Sequence, residues 1–341
     1  MSQPTENPAP QHIEADDVTD ETDSSYDSDL PSTSSLSSSI TDYEYENGRR
    51  YHSFKKDSSV YFAPNDEDEN DRLDLVHHMI TLRLGGRLHL APIKKDVQEI
   101  LDLGTGMTPT RLQKDCQTHL TYEQPGTGIW AIQMGDEYES ARILGNDLSP
   151  IQPAFVPPNV HFEIDDIEDA WTHTRKFDFI HARYLLGAIR DWPALIAKSR
   201  AALKPGGWLE LQDFTMQVYA TDGSLPKDSY LTRYLEETLE GMKGMGVEPE
   251  PGAKLKGWVE AAGFENVRVE RFAFPVGRWP KDGMLKQVGL FNLANFADGL
   301  EGFSMRILTG LRGWKKEEVE VHVAELRKEL KNRAIHPQHD M

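Results

Sequence analysis

Apolar runs and helical patterns alternate along the chain from residue 97 onward. Short apolar segments bounded by turn residues are typical of buried strands. They occur at residues 99–103, 142–147, 160–164, 177–181, 208–213 and 267–274. Stretches with helical spacing, such as 192–203 and 254–262, separate most of them. This alternation predicts an α/β fold with a mostly parallel central sheet and helices on both faces.

A helix is predicted before the first of these strands. Residues 66–84 begin with an acidic turn and carry apolar side chains along one face, which is the usual pattern of an amphipathic helix. His77 and His78 are adjacent within it and so point to different faces. We expect a core contact and a surface group from these two histidines rather than a metal pair.

The carboxyl-terminal third of the chain is mostly helical, at 225–245 and 284–333. We predict helical additions at 215–250 and 284–333, packed over the mouth of the sheet or against its edge. Residues 314–333 predict an amphipathic helix docked on the domain. Its apolar side chains are Val319, Val321, Val323, Leu326 and Leu330.

The amino-terminal residues 1–46 differ in composition from the rest of the chain. They contain twelve Asp and Glu and no Lys or Arg, so they carry most of the formal net charge of −19. Serine and threonine are concentrated at 32–39. Such a segment buries too little apolar surface to offset its ordering entropy, and we predict a disordered acidic tail. A solvated tail and a phosphorylated region both agree with this composition.

The charge and cysteine content exclude several classes of function. The rest of the chain has no basic patch, which argues against direct nucleic-acid binding. Cys116 is the only cysteine, so a disulfide framework or a thiolate zinc site is unavailable, and we predict no metal site. No apolar run approaches the length of a membrane span, and no signal pattern precedes the domain. We expect a soluble protein of the nucleus or cytoplasm.

Two predicted strands end in residues suited to a nucleotide ligand. Residues 99–106 form an apolar strand that contains Asp102 and leads into Gly104 and Gly106. Glycine lets a ligand approach the backbone closely at such a turn. Asp147 closes the second strand, where a carboxylate can accept hydrogen bonds from both ribose hydroxyls.

The next strands continue the series. Asp166 and Ile167 close the third strand and combine an acidic group with an apolar one, as an adenine amine and ring require. His181 and Arg183 close the fourth, beside the expected reaction centre. A Leu-Lys-Pro-Gly-Gly turn at 203–207 leads into the fifth.

This ordered series resembles the class I S-adenosylmethionine-dependent methyltransferases. More narrowly, the chain is similar to the fungal LaeA-like methyltransferases, known as regulators of secondary metabolism. The similarity covers about residues 44–336. Its most specific strings are ENGRRYH (46–52), PNDE (64–67), LHLAP (88–92), NDLSPIQP (146–153), VPPNV (156–160) and FIHAR (179–183).

The resemblance implies a Rossmann-like methyltransferase domain over residues 47–336, with a seven-strand-type sheet, helical lids and a nuclear or cytoplasmic location. It also implies S-adenosylmethionine as cofactor. We expect the cofactor to be bound by Asp102, Gly104, Gly106, Gly128, Asp147, Asp166 and Ile167. On the acceptor side we expect His181, Arg183 and Asp213. His181 acts there in catalysis or makes a structural hydrogen bond at the strand end.

One departure from the family pattern interrupts the glycine loop. The family reads LDLGTGTGIW without a break, whereas here residues 107–126 separate Gly106 from TGIW at 127–130. Two interpretations stand: a translated intron, whose twenty codons preserve the frame, and a genuine surface insertion, which loops tolerate thermodynamically. We favour the intron, because the loop amides and the next helix must converge on the ligand, and a polar excursion there competes with it.

The sequence therefore predicts an S-adenosylmethionine-dependent methyltransferase whose acceptor is a small molecule or a protein side chain. No Asn-Pro-Pro-Tyr-like string or paired-glutamate loop is evident, which disfavours amide, base and arginine methylation. Two other roles remain open: a biosynthetic enzyme that acts on one metabolite, and a methyltransferase-fold subunit that binds regulatory proteins. An uninterrupted glycine loop favours the enzymes, and a retained insert favours the subunit. We expect no nucleic-acid or membrane partner.

Overall fold

The description of the chain is divided by several gaps. The predicted insert at 107–126, with Cys116, lies outside the described residues, as does most of the predicted tail. The computed structural model describes residues 9–16, 44–46, 49–51, 64, 66–106, 128–148 and 156–341.

Two short strands and one long helix precede the central sheet. Strand β1 (Glu44–Glu46) pairs antiparallel with β2 (Arg49–Tyr51), and helix α1 spans Glu67–Arg83. The Asp66 carboxylate caps α1 by accepting a hydrogen bond of 3.1 Å from the backbone N–H three residues later. The helix predicted at 66–84 is therefore confirmed.

The central sheet confirms the predicted α/β fold. Its five strands are β3 (Glu99–Leu103), β4 (Arg142–Asp147), β5 (Val160–Ile164), β6 (Phe177–Arg183) and β7 (Leu203–Gln212). They run parallel in the order β5-β4-β3-β6-β7. The first three match the predicted bounds to the residue. Strand β6 continues to Arg183, and β7 begins earlier than predicted, at Leu203.

Helices connect these strands and continue beyond them. They are α2 (Ile129–Glu137), α3 (Trp192–Ala202), α4 (Tyr230–Gly244), α5 (Leu255–Ala261), α6 (Gly283–Ser304) and α7 (Lys316–Leu330). A π-helical turn at Met305–Thr309 continues α6. Helices α4 and α7 lie within the additions predicted at 215–250 and 284–333, and α6 begins one residue before the second of them. Across the described ranges, no helix combines the length and the apolar character needed to cross a membrane.

Both faces of the inner strand β3 are buried, which explains its mainly apolar sequence. On β3, Ile100 packs on one face with Trp130 of α2. Leu101 packs on the other face with Trp192 and Leu195 of α3. The strand ends of this sandwich are thereby held in fixed positions relative to one another.

Predictions about helix faces are confirmed with one exception. His77 of α1 is buried and His78 is exposed, as their adjacency predicted. Helix α7 docks through an apolar face, but Val321 is 65% exposed and lies off that face. The residues of α7 that join the buried cluster are Val319, Val323, Leu326 and Leu330.

The strand predicted at 267–274 is wrong over most of its length. Only Ala273–Pro275 forms a strand, β8, and it pairs antiparallel with β9 (Gln338–Asp340) outside the central sheet. Val269 is 42% exposed, so the apolar positions that suggested a strand are not buried against a sheet. The described central sheet accordingly has five strands rather than the seven that the resemblance implied.

The prediction of disorder is wrong for residues 9–16. Ile13 is buried with Trp279 in a small apolar cluster, and the Gln338 side-chain amide donates to the Gln11 carbonyl at 2.8 Å. Average composition concealed this segment, because one buried apolar side chain together with hydrogen bonds and ion pairs docks it, including the Lys281–Glu14 pair.

The folded unit also exceeds the predicted domain bounds of 47–336 at both ends. Residues 9–16 and β1 precede those bounds, and β9 follows them. Backbone hydrogen bonds in both directions between Phe272 and Met341 extend the β8–β9 pairing by one residue. A three-residue strand has no periodicity to reveal it in a sequence.

Candidate active site

The interrupted glycine loop closes in space. Gly104, Gly106 and Gly128 have positive φ angles of 64°, 66° and 74°, which glycine adopts without strain. The Gly128 N–H donates to the Thr105 carbonyl at 3.1 Å. Gly128 also caps the amino terminus of α2. The two described ends of the loop therefore meet directly beneath that helix terminus, whatever path residues 107–127 take.

Larger side chains are excluded at two of these glycines. A Cβ built on Gly104 lies 2.5 Å from the Leu185 side chain, and one on Gly128 lies 2.9 Å from the ring of Phe162. The end of β4 secures the same loop, because the Asp147 carboxylate accepts a hydrogen bond of 2.9 Å from the Gly106 N–H. The glycine loop after β3 thus forms a tight backbone turn that faces the carboxylate at the end of β4.

A cavity of about 240 Å³ lies at the carboxyl ends of β3, β4, β5 and β6, where parallel sheets commonly bind ligands. We call its sheet-side wall the glycine side. The residues of this wall expected to bind cofactor are Asp102, Gly104, Gly106, Gly128, Asp147, Asp166 and Ile167, and all seven line the cavity.

His181 is held rigidly at the edge of this wall. It faces Asp102 across the β3–β6 pairing, and its Nδ1 donates to Asp102 Oδ1 at 2.7 Å. Its ring stacks on Trp130, with 3.8 Å between centroids and 4° between planes. The other ring nitrogen, Nε2, is buried without a hydrogen-bond partner, and His181 lines the cavity.

Arg183 lies two residues further along β6 and also lines the cavity. Burial lowers the pKa of Arg183 to about 10, so it stays charged at neutral pH. Burial and the Arg183 charge lower the pKa of His77 to about 3. Neutral His77 therefore accepts at Nδ1 from Arg183 Nη2, 2.5 Å away, and donates from Nε2 to Gln133 at 3.0 Å. Arg183 Nη1 is buried without a partner.

Asp213 does not face the cavity, contrary to its expected place on the acceptor side. Its carboxylate accepts backbone hydrogen bonds of 2.9 Å each from Leu185 and Phe214. Burial raises its pKa to about 7. These bonds fix the turn after β6, where Tyr184 has a φ of 59° in the left-handed region. Position at a strand end suggested the wrong direction for this side chain.

Sequence reasoning missed the opposite wall of the cavity, which we call the lid side. It comes from α1, α4, α6, β9 and the segments that follow β6 and β7, and it combines aromatic and aliphatic side chains with polar ones. Its residues include Tyr184, Phe214, Met216, Tyr234, Thr238 and Phe296. The helical pattern predicted the lid helices, but no pattern indicated which of their side chains would face the cavity.

A buried ion pair braces the lid side. Arg72 and Glu69 of α1 are 2.5 Å apart, with each side chain only 3% exposed. Arg72 also donates to the Tyr184 hydroxyl at 3.1 Å and to Asn295 of α6 at 2.5 Å. One guanidinium therefore ties α1, α6 and the strained turn after β6 together.

Comparison with known proteins identifies the family to which the chain is similar. A family model described as "Methyltransferase domain" matches residues 125–269, beginning at the carboxyl end of the insert predicted at 107–126. "Methyltransferase pytC" of Aspergillus terreus is 44% identical over 306 residues, covering 89% of this chain and 88% of the relative.

Two further relatives are regulators or protein-modifying enzymes by name. "Secondary metabolism regulator LAE1" of Cochliobolus heterostrophus is 33% identical over 302 residues, covering 85% of this chain and 90% of that one. "Protein-methionine methyltransferase laeA" of Emericella nidulans is 30% identical over 301 residues, covering 86% and 73%. Each of these similarities covers more than four fifths of the chain.

Proposed function

The chain belongs to the LaeA-like family of class I S-adenosylmethionine-dependent methyltransferases, and from this we propose that the cavity is its methyl-transfer site. The glycine side binds the cofactor and the lid side receives the acceptor. The observation that carries the proposal is the convergence of all seven expected cofactor residues, from four separate segments, on one cavity.

The chemistry of the glycine side fits the cofactor. Loop amides and the amino terminus of α2 suit the methionyl carboxylate. Asp147 suits the ribose hydroxyls, and Asp166 with the buried Ile167 suits the adenine amine and ring. Bound S-adenosylmethionine supplies a sulfonium methyl group, which is transferred by in-line displacement. The protein contributes mainly by holding donor and acceptor in line and by excluding water.

We assign the protein to secondary metabolism, as its relatives' names suggest, within the nucleus or cytoplasm. The relatives leave the acceptor open, since one is named as a protein-methionine methyltransferase. The domain comprises residues 47–336 together with the flanking segments that dock on it. Regulatory protein partners remain part of this proposal.

Calorimetric titration of S-adenosylhomocysteine into the wild type and Asp147→Asn tests the site. Hydrogen bonds to a charged group contribute about 1.5–3 kcal/mol, so we expect Asp147→Asn to bind about 10 to 100 times more weakly. Asp136→Asn, an exposed aspartate on α2, is the matched control and should bind like the wild type. Equal affinities for all three proteins, or no binding by the wild type, would contradict the assignment.

A further inference from the structure

Two buried polar atoms of β6 have no partner and lie at the same cavity. They are Nε2 of His181 and Nη1 of Arg183. Residues i and i+2 of a strand project from the same face of a sheet, and both of these residues line the one cavity. Buried polar groups are ordinarily hydrogen-bonded, which points to a ligand group that both of them bind.

The tautomer of His181 follows from its partner. A carboxylate can only accept hydrogen bonds, so the proton between Asp102 and His181 lies on Nδ1. In the form of the ring that carries one proton, that proton is therefore on Nδ1 and the lone pair is on Nε2. Stacking on Trp130 fixes the plane of the ring and hence the direction of that lone pair. The pair of residues is arranged to receive a proton from a bound group.

Arg183 complements this lone pair with a positive charge. Its Nη2 is committed to neutral His77, and no described carboxylate lies within ion-pair distance of its guanidinium. A cation beside a hydrogen-bond acceptor stabilises an oxygen that becomes negative as it loses its proton. Together the two groups match a weakly acidic hydroxyl better than an amine. An amine nitrogen becomes positively charged as it is methylated, and the Arg183 cation would repel it.

The lid side indicates what carries that hydroxyl. Phe214, Tyr234 and Phe296 give it an aromatic surface, and the buried Thr238 hydroxyl is a further polar atom without a partner. A mostly apolar cavity with a few converging polar groups is typical of sites for small organic ligands. A methionine thioether, in contrast, has no proton for His181 to accept.

Resting on the proposed function, we propose that the acceptor is a compact apolar molecule bearing a phenolic or enolic hydroxyl, bound by His181 and Arg183. The hydroxyl oxygen forms the new bond to the methyl carbon. The carbon–sulfur bond breaks, and its electron pair stays on sulfur, giving S-adenosylhomocysteine. The hydroxyl proton moves to His181 Nε2 and then to water.

The test uses full-length protein saturated with S-adenosylhomocysteine and two probes, 4-nitrophenol and its methyl ether 4-nitroanisole. We expect 4-nitrophenol to bind at least tenfold more tightly and its phenolate absorption band to grow on binding. His181→Gln and Arg183→Gln should each abolish the preference and the band, while their affinity for S-adenosylhomocysteine stays within threefold of wild type. That affinity also reports that the variants are folded.

Matched controls are His161→Gln and Arg333→Gln, which replace exposed residues and should behave like the wild type. Equal binding of the two probes, or binding of neither at millimolar concentration, overturns the proposal. If His181→Gln and Arg183→Gln bind S-adenosylhomocysteine more weakly while the other proteins do not, these two groups hold the cofactor. That result also overturns this proposal but leaves the proposed function standing. Failure of the wild type to bind S-adenosylhomocysteine defeats both proposals.

Discussion

The glycine side and the lid side of one cavity are built in different ways. On the glycine side, contacts join neighbouring strand ends, as between Gly106 and Asp147. On the lid side, Arg72 reaches Tyr184 and Asn295, which lie far away in the chain. Contacts between neighbouring strand ends therefore form the glycine side. The lid side forms only after helices that are distant in the chain have packed together. The two walls should respond differently to mutation.

The largest effect is expected for Arg72→Met on the lid side. Removing this guanidinium leaves the Glu69 carboxylate buried and unpaired, which costs about 3–5 kcal/mol of unfolding free energy. The matched control is Lys243→Met, which breaks an ion pair of the same i,i+3 spacing with Glu240, half exposed on α4. Exposed pairs contribute about 0–1 kcal/mol. Chemical denaturation measures both, and equal losses would contradict a bracing role for Arg72.

Gly104→Ala should break the glycine side. The left-handed backbone costs alanine about 1–2 kcal/mol, and the new Cβ would meet Leu185. We expect S-adenosylhomocysteine affinity to fall more than tenfold. Gly86→Ala carries the same backbone strain, with φ 83° and open space around it, and should lower stability without changing affinity. Similar affinities for the two variants would show that the loop tolerates a side chain.

Asp213 lies outside the cavity but holds the backbone of Leu185 and Phe214, which line it, and it should give a pH signature. Burial raises its pKa to about 7, so the folded state retains a proton that the unfolded chain has lost. This stabilisation is complete below the ordinary Asp pKa and is lost as the pH rises to 7. Between pH 5 and 7 the wild type should lose about 2 kcal/mol relative to Asp213→Asn.

Urea unfolding of both proteins at pH 5, 6, 7 and 8 measures this difference. Other titrating groups, including His77, are common to the two proteins and cancel in the comparison. Asp136→Asn should show no pH-dependent difference from wild type. A constant difference in unfolding free energy between wild type and Asp213→Asn from pH 5 to 8 would mean that Asp213 is ionised throughout.

The smallest effect on the fold is expected from deleting residues 107–126. Thr105 and Gly128 are already hydrogen-bonded, so the shortened loop needs no rearrangement of its described ends. We expect melting temperature to be preserved and S-adenosylhomocysteine to bind at least as tightly as to the full chain. Loss of binding on deletion would mean that the segment contributes to the site.

The origin of the same segment is tested separately by sequencing spliced mRNA across residues 106–128. Reads that lack these twenty codons as the major form would support a translated intron. Reads that retain them would make the segment a genuine insertion. The glycine side would then be a loop whose ends meet despite a long excursion.

Much of the glycine side could be predicted from the sequence. Strands β3 and β4 match their predicted bounds because they are buried along most of their length. Strand β5 matches because apolar Val160, Phe162 and Ile164 alternate with polar residues. His181 and Arg183 were predicted at the cavity and lie there. Trp130 belongs to the TGIW string at 127–130. Its stacking on His181 depends on the order of the strands in the sheet, which a local sequence pattern cannot predict.

The failures share a physical cause. Asp213 was expected to face the acceptor, but it satisfies backbone groups of its own turn instead. The predicted strand at 267–274 has the right alternation, yet its short paired portion, β8, finds its partner in β9. In both cases the outcome depends on which distant or backbone group offers a hydrogen bond, and hydropathy patterns carry no information about that choice.

Strand β9 has a consequence for how the cavity forms in the cell. It follows every other described element in the chain, yet it supplies His339 to the cavity wall. A ribosome releases the strands of the central sheet well before it releases β9. The nascent protein thus passes through a stage in which the glycine side can fold while the lid side still lacks β9. The aromatic side chains of the lid side are uncovered during that stage. Chaperone contacts during synthesis should concentrate on that late interval.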